Sequence, residues 1–171
     1  MPCPTLIKEG VSVLDDKEKE SAYTKVSEDV ILNTYFCKKI KEIYNCMSIA
    51  SNEELYPLQK WYNQLIEKTI VEITVADVLR MIRQKKFTDL AMSKAINFLR
   101  EDVFVGELYE GDLLEKVSEM DSSFLISYAD DLKNIINNAL VKSETHDWTY
   151  DGEEEEFKDM IDTLSTKLTE L

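Results

Sequence analysis

Apolar residues recur along this chain at three- and four-residue steps, the spacing that gathers side chains on one face of an α-helix. From Ser27 the pattern takes in Val30, Ile31, Tyr35, Phe36, Ile40, Ile43, Tyr44 and Met47, with Lys38, Lys39, Lys41 and Glu42 opposite, and predicts one helix. A polar break at Ser48–Glu54 follows. Pro57 suits the first turn of a second helix, where its missing N–H is not needed, and that helix runs to about Lys68 with Leu58, Trp61, Tyr62, Leu65 and Ile66 apolar. Thr74 with Asp77 three residues on reads as a capping-box start for a helix burying Val75, Val78, Leu79 and Ile82. Another helix spans about Thr88 to Arg100, with Leu90, Ala91, Ala95, Phe98 and Leu99 suited to burial.

After a loop from Glu101 to Gly111, Asp112 stands where a first-turn carboxylate meets free helical N–H groups, ahead of Leu113, Leu114, Val117 and Met120. Asp121 starts a further helical segment through Phe124, Leu125 and Tyr128. Asp130 or Asp131 restarts the chain through Leu132, Ile135, Ile136, Ala139 and Leu140. The last helix begins near Gly152 and carries Phe157, Met160, Ile161, Leu164, Leu168 and Leu171. The expected core is Tyr35, Phe36, Ile40, Trp61, Leu65, Leu79, Ile82, Phe98, Leu99, Leu114, Ile135, Leu164 and Leu168.

Composition agrees with this pattern. With 4 Gly and 3 Pro in 171 residues, the chain lacks the turn chemistry of a β-sandwich. The expectation is an all-α single domain, an irregular bundle of about seven or eight helices. Residues 1–20 read as an N-terminal arm, and residues 144–171 as an acidic link and C-terminal helix.

Charge changes the picture more. The net charge is −14, yet residues 1–100 hold 15 basic and 14 acidic side chains, whereas residues 101–171 hold 5 and 20. All the excess acid lies in the C-terminal part. Such a field repels nucleic acid and anionic membranes and attracts basic partners, so direct nucleic-acid or membrane binding is not expected. Cys3, Cys37 and Cys46 form no C-x-x-C pair, are odd in number, and read as small core residues in a reducing compartment. The opening residues Met1 to Thr5 show no basic region before an apolar core, and no apolar run reaches the ~18 residues that span a bilayer. The expected location is cytoplasmic.

Candidate chemistry is sparse. His146, between Thr145 and Asp147, is the single histidine, has no partner nucleophile, and reads as an exposed linker residue. Glu153–Glu156 lacks both the Glu-x-x-His spacing of a di-metal site and the pattern of a Ca²⁺ loop. No G-x-G-x-x-G or Walker-type sequence occurs. No catalytic residue, cofactor or metal is therefore expected. Between Glu144 and Asp162 there are nine carboxylates against one lysine, with Trp148 and Tyr150 interleaved. Aromatics flanked by carboxylates anchor interfaces while the charges steer a basic partner. Asp147, Trp148, Tyr150, Asp151, Glu153, Glu154, Glu155 and Glu156 are the first candidate partner-binding set; the loop residues Glu101, Asp102, Glu107 and Glu110 are the second. Two plainer readings stand beside them: the aromatics pack the last helix onto the body, and a helix N-terminus favours the glutamates without any partner.

The string Asp77-Val78-Leu79-Arg80-Met81-Ile82-Arg83-Gln84, then Ala91, Ala95, Phe98-Leu99-Arg100-Glu101-Asp102 and Leu108-Tyr109-Glu110-Gly111-Asp112-Leu113-Leu114, resembles the contact-dependent growth inhibition (CDI) immunity proteins over roughly residues 50–120. Glu110 stands where that family commonly has proline, and Lys85-Lys86 replaces a glycine expected after Gln84. The resemblance implies a small helical cytoplasmic antidote that binds the C-terminal toxin domain delivered by a neighbouring cell. Many such toxins are nucleases cleaving tRNA or DNA, whose phosphate-holding sites are basic, so an acidic inhibitor is complementary by charge. Gly111, Asp112, Leu113 and Leu114 read as a structural motif: a glycine turn, a capping aspartate and two core leucines. The alternative reading is an acidic helical regulatory adaptor or nucleic-acid mimic acting on a basic host protein. A helical enzyme is a third class, for which the sequence offers no clear set of titratable groups.

Overall fold

A computed structural model describes residues 37–50 and 54–170. Among the described residues the fold is all-α, with no β-strand and one isolated antiparallel bridge, Lys39 to Thr69. The chain divides into two compact units between Ile73 and Thr74, each taken by itself below.

In the first unit, helix α1 is the short segment Ile40–Ile43 and α2 is Pro57–Ile66, followed by a 3₁₀ turn at Ile70–Glu72. The helix expected from Ser27 through Met47 is broken within its described part, and the backbone shows why. The Lys39 amide donates to the Glu42 carboxylate at 2.8 Å, and the Ile40 amide donates to the Lys68 carbonyl at 2.9 Å. Neither donor is left to continue an incoming helix. Cys37 is exposed at this break rather than buried, and Cys46 is half-buried. At the far end Asn45 takes a left-handed φ of 48°, and the Cys46 amide closes onto the Lys41 carbonyl at 3.0 Å. That is a Schellman-type stop, so Met47 leaves the apolar face and is 86% exposed. Pro57 does occupy the first position of α2, and Trp61, Leu65 and Ile66 are buried, while Leu58 is exposed. Glu67 receives both Lys39 (2.7 Å) and Lys41 (2.6 Å), and those ammonium groups hold its carboxyl below the ordinary glutamate range. The expected arm at 1–20, Cys3, Tyr35, Phe36 and Leu171 lie outside the described residues.

The second unit contains α3 (Val75–Arg83), α4 (Thr88–Glu101), α5 (Asp112–Ser118), α6 (Ser122–Leu125) with a 3₁₀ continuation to Tyr128, α7 (Ala129–Ser143) and α8 (Glu153–Thr169). Thr74 and Asp77 form the capping box: the Thr74 hydroxyl accepts from the Asp77 amide at 3.3 Å, and the Thr74 amide donates to the Asp77 carboxylate at 3.0 Å. Helices α3, α4 and α5 pack on one another, α7 packs on α4 and α8, and α8 packs on α5. Leu79, Met81, Met92, Leu99, Leu113, Leu114, Leu132 and Ile161 are fully enclosed between them.

Two expected core residues are only half-buried. Ile82 lies at the flank of a face centred on Val78 and Met81, and the Phe98 ring is covered on its outer side by the Lys94 ammonium at 5.2 Å. Leu140, expected on the apolar stripe of α7, is exposed. Ile40, Trp61, Leu65, Leu79, Leu99, Leu114, Ile135, Leu164 and Leu168 are buried as the periodicity requires.

Candidate partner-docking site

The loop between α4 and α5 is shaped by its own short-range chemistry. The Asp102 carboxylate accepts from the Phe104 amide at 3.0 Å, and the Gly111 amide donates back to the Phe104 carbonyl at 2.7 Å. Asp112, 1% exposed, turns its carboxylate to the Glu107 and Leu108 amides at 3.4 and 3.3 Å. It thus holds the loop, where the sequence suggests it would serve the free N–H groups of its own helix. Gly111 precedes α5 with φ +81°, and a Cβ there would stand 3.0 Å from the Phe157 ring. Both the left-handed backbone and the close approach of α8 demand glycine. Leu113 and Leu114 follow it into the core.

The link between α7 and α8 folds onto that loop. His146 is not an exposed linker residue: its ring stacks on Phe104 with centroids 3.9 Å apart, and its Nε2 meets the Glu110 carboxylate at 2.5 Å. Trp148 stands edge-on to both Phe104 and His146, leans on Phe157 with centroids 5.4 Å apart, and donates from Nε1 to the Ser143 carbonyl at 3.3 Å. The Thr149 amide donates to Glu153 at 2.7 Å, and Gly152, at φ +102°, opens α8. Four rings from loop, link and helix therefore make one cluster, with its Trp148 edge half-exposed.

Beside this cluster lies a cleft of about 380 Å³ lined by Tyr109, Glu110, Gly111, Glu115, Trp148, Tyr150, Glu153, Glu156, Phe157 and Met160. The two acidic sets that the sequence keeps apart meet here, Glu110 from the loop and Glu153 and Glu156 from α8. The Tyr150 hydroxyl donates to Glu156 at 2.6 Å, and that carboxylate pushes the Tyr150 phenol up to about 12. Tyr109 donates to Glu115; burial first, then that carboxylate, raises its phenol well above the ordinary value. Both tyrosines are therefore neutral donors at physiological pH.

The other candidates divide clearly. Glu154 pairs with Lys158 at 2.5 Å, and Glu107 pairs with Arg83 at 3.2 Å, so the charge of each is met locally. Glu101, Asp102, Asp147, Asp151 and Glu155 are exposed and do not line the cleft. No charge or spacing signal marks Glu115 and Met160 as cleft residues; they arrive there because α5 packs on α8. Among the described residues no group of three or more His, Cys, Asp or Glu is placed to hold a metal ion, and no helix is long and apolar enough to cross a membrane.

No curated protein matches this sequence. The family model of CDI immunity proteins matches residues 42–135, which takes in the α4–α5 loop, Gly111 and Asp112 and stops before the link that closes the cleft. With more than half of its 171 residues matched, the chain belongs to the family of CDI immunity proteins.

Proposed function

We propose that this protein neutralises the C-terminal toxin domain of a cognate CDI effector by binding it directly in the cytoplasm, with no catalysis of its own. The observation that carries this reading is a cleft in which four carboxylates, Glu110, Glu115, Glu153 and Glu156, stand among aromatic rings with no lysine or arginine in the lining. A surface of that kind presents a single sign of charge to an approaching molecule and a desolvated apolar floor once it arrives. The toxin chemistry that fits is a nuclease, because a site that holds phosphates must be basic. In this reading the carboxylates govern encounter, and Trp148 with Tyr109 and Tyr150 governs residence.

The test is co-expression of the chain with the toxin domain encoded immediately upstream of its gene. Rescue of growth, together with a stable stoichiometric complex, supports the reading; no rescue and no complex rejects it. A regulatory adaptor or nucleic-acid mimic gives the opposite pattern: several basic host proteins bound with ordinary affinity, and no protection from one neighbouring toxin.

A further inference from the structure

Each of the four cleft carboxylates is held through its Oε2, and the Oε1 of Glu115 also lies 4.0 Å from the Lys116 ammonium. His146 Nε2 meets Glu110 Oε2, the Tyr109 hydroxyl meets Glu115 Oε2, the Thr149 amide meets Glu153 Oε2, and the Tyr150 hydroxyl meets Glu156 Oε2. Among the described residues, the second oxygens of Glu110, Glu153 and Glu156 meet no hydrogen-bond donor. A carboxylate offers about four acceptor sites, so one internal bond leaves most of its capacity for an incoming donor. Of the nearby cations, Lys158 pairs with Glu154, and Lys116 pairs with Glu119 at 2.8 Å while standing 4.0 Å from Glu115. The walls between the carboxylates are flat: Tyr109, Trp148, Tyr150 and Phe157.

We propose that this cleft receives an arginine side chain of the partner, its guanidinium stacked on a wall ring and shared between the loop carboxylate Glu110 and the α8 carboxylates Glu153 and Glu156. The inference rests on the docking reading above and names the group that enters. Two features select guanidinium over ammonium. Flat aromatic side chains suit a planar cation that stacks as well as pairs, and acceptors supplied by both the loop and α8 suit a rigid fork of five donors. Guanidinium is also the more weakly hydrated of the two, so it loses less on leaving water. The internal hydrogen bonds of the glutamates matter equally: carboxylates already fixed forfeit little freedom when the partner arrives.

The probe is Nα-acetyl-arginine amide, titrated at low ionic strength into the full-length ¹⁵N-labelled chain, with Nα-acetyl-lysine amide as comparison. The arginine amide should shift the Trp148 indole N–H and the Glu153–Phe157 amides saturably, with millimolar affinity, and the lysine amide should bind about tenfold more weakly. Replacing Glu153→Gln and Glu156→Gln together should abolish the shifts, whereas Glu155→Gln, outside the cleft, should leave them unchanged. Equal binding of both amides, or no saturable shift with either, overturns the inference. Its failure is separable from that of the docking reading: the latter falls if the cognate toxin binds the Glu153→Gln, Glu156→Gln double variant with undiminished affinity and association rate, whatever the small amides do.

Discussion

Two of the clefts of the second unit, of about 380 Å³ and about 350 Å³, differ in how charge is disposed. The first is walled by carboxylates and rings. The second is lined by Ile82, Arg83, Lys85, Thr88, Lys116, Glu119, Met120, Asp121 and Phe124. There cations and anions alternate; Lys116 closes on Glu119 at 2.8 Å, and Arg83 reaches out to Glu107 at 3.2 Å. Helix α5 contributes to both, sending Glu115 to the one and Lys116 to the other. Adjacent residues thus line different clefts, although the Lys116 ammonium stays 4.0 Å from the Glu115 carboxylate. An acidic sequence does not make every surface acidic; a single-sign site arises only where the fold gathers carboxylates and sends the lysines elsewhere.

The comparison breaks most severely at Phe157. Its ring supports Gly111, Trp148 and Phe104, so Phe157→Ala should cost about 3–5 kcal/mol of stability, read by denaturant unfolding, and should disorder the acidic cleft. Trp148→Ala comes next. Losing an indole at the centre of the proposed interface should weaken toxin binding by about 2 kcal/mol or more, expressed as faster dissociation. Because Trp148 also leans on Phe104 and Phe157, a lowered melting temperature should accompany that loss.

Charge reversal sharpens the contrast between the clefts. Glu153→Lys with Glu156→Lys should slow association about tenfold at low salt and flatten its salt dependence, because exposed charges act mainly on encounter. A charge reversal confined to the other cleft, Lys85→Glu, should leave the association rate within about twofold.

A smaller effect is confined to the second cleft. Lys85 sits at φ +49°, where the Lys86 amide closes onto the Met81 carbonyl at 2.9 Å to end α3. Glycine adopts that conformation without a Cβ penalty, so Lys85→Gly should stabilise the fold by about 1 kcal/mol without altering toxin affinity.

The smallest effect is a titration. Tyr150 ionises near 12 because its proton is shared with Glu156, above the ordinary value of about 10. The folded state therefore keeps a proton that the unfolded chain loses between those values. The contribution is fully present below pH about 10 and is lost as pH climbs through 12. Glu156→Gln should bring the Tyr150 titration, followed by NMR of the ring, back towards about 10.

How much of this was legible in the sequence depended on whether the information was local. Periodicity exposes α3, α4, α7 and α8 because an amphipathic stripe is written in consecutive residues, and Thr74-x-x-Asp77 announces its own cap. The break at Lys39 is not legible, because it depends on the Ile40 amide meeting a Lys68 carbonyl 28 residues away. The lysine that replaces a glycine after Gln84 is a partial case: the substitution is visible, but only the backbone shows that Lys85 itself takes the left-handed turn. At the cleft, acidic density identifies Glu110, Glu153 and Glu156 as candidates. It does not join the two segments, since the joint is the stack of His146 on Phe104, 42 positions apart. Nor does it separate Glu156, held by Tyr150, from Glu154, held by Lys158 one helical turn further on.

The most direct measurement is hydrogen–deuterium exchange on the chain alone and in complex with its cognate toxin domain. The account predicts that toxin binding protects Tyr109–Glu115 and Trp148–Met160 together, with Arg83–Thr88 and Met120–Phe124 unchanged. Protection centred on Arg83–Thr88 and Met120–Phe124, with the acidic cleft exchanging as freely as in the unbound chain, would contradict it.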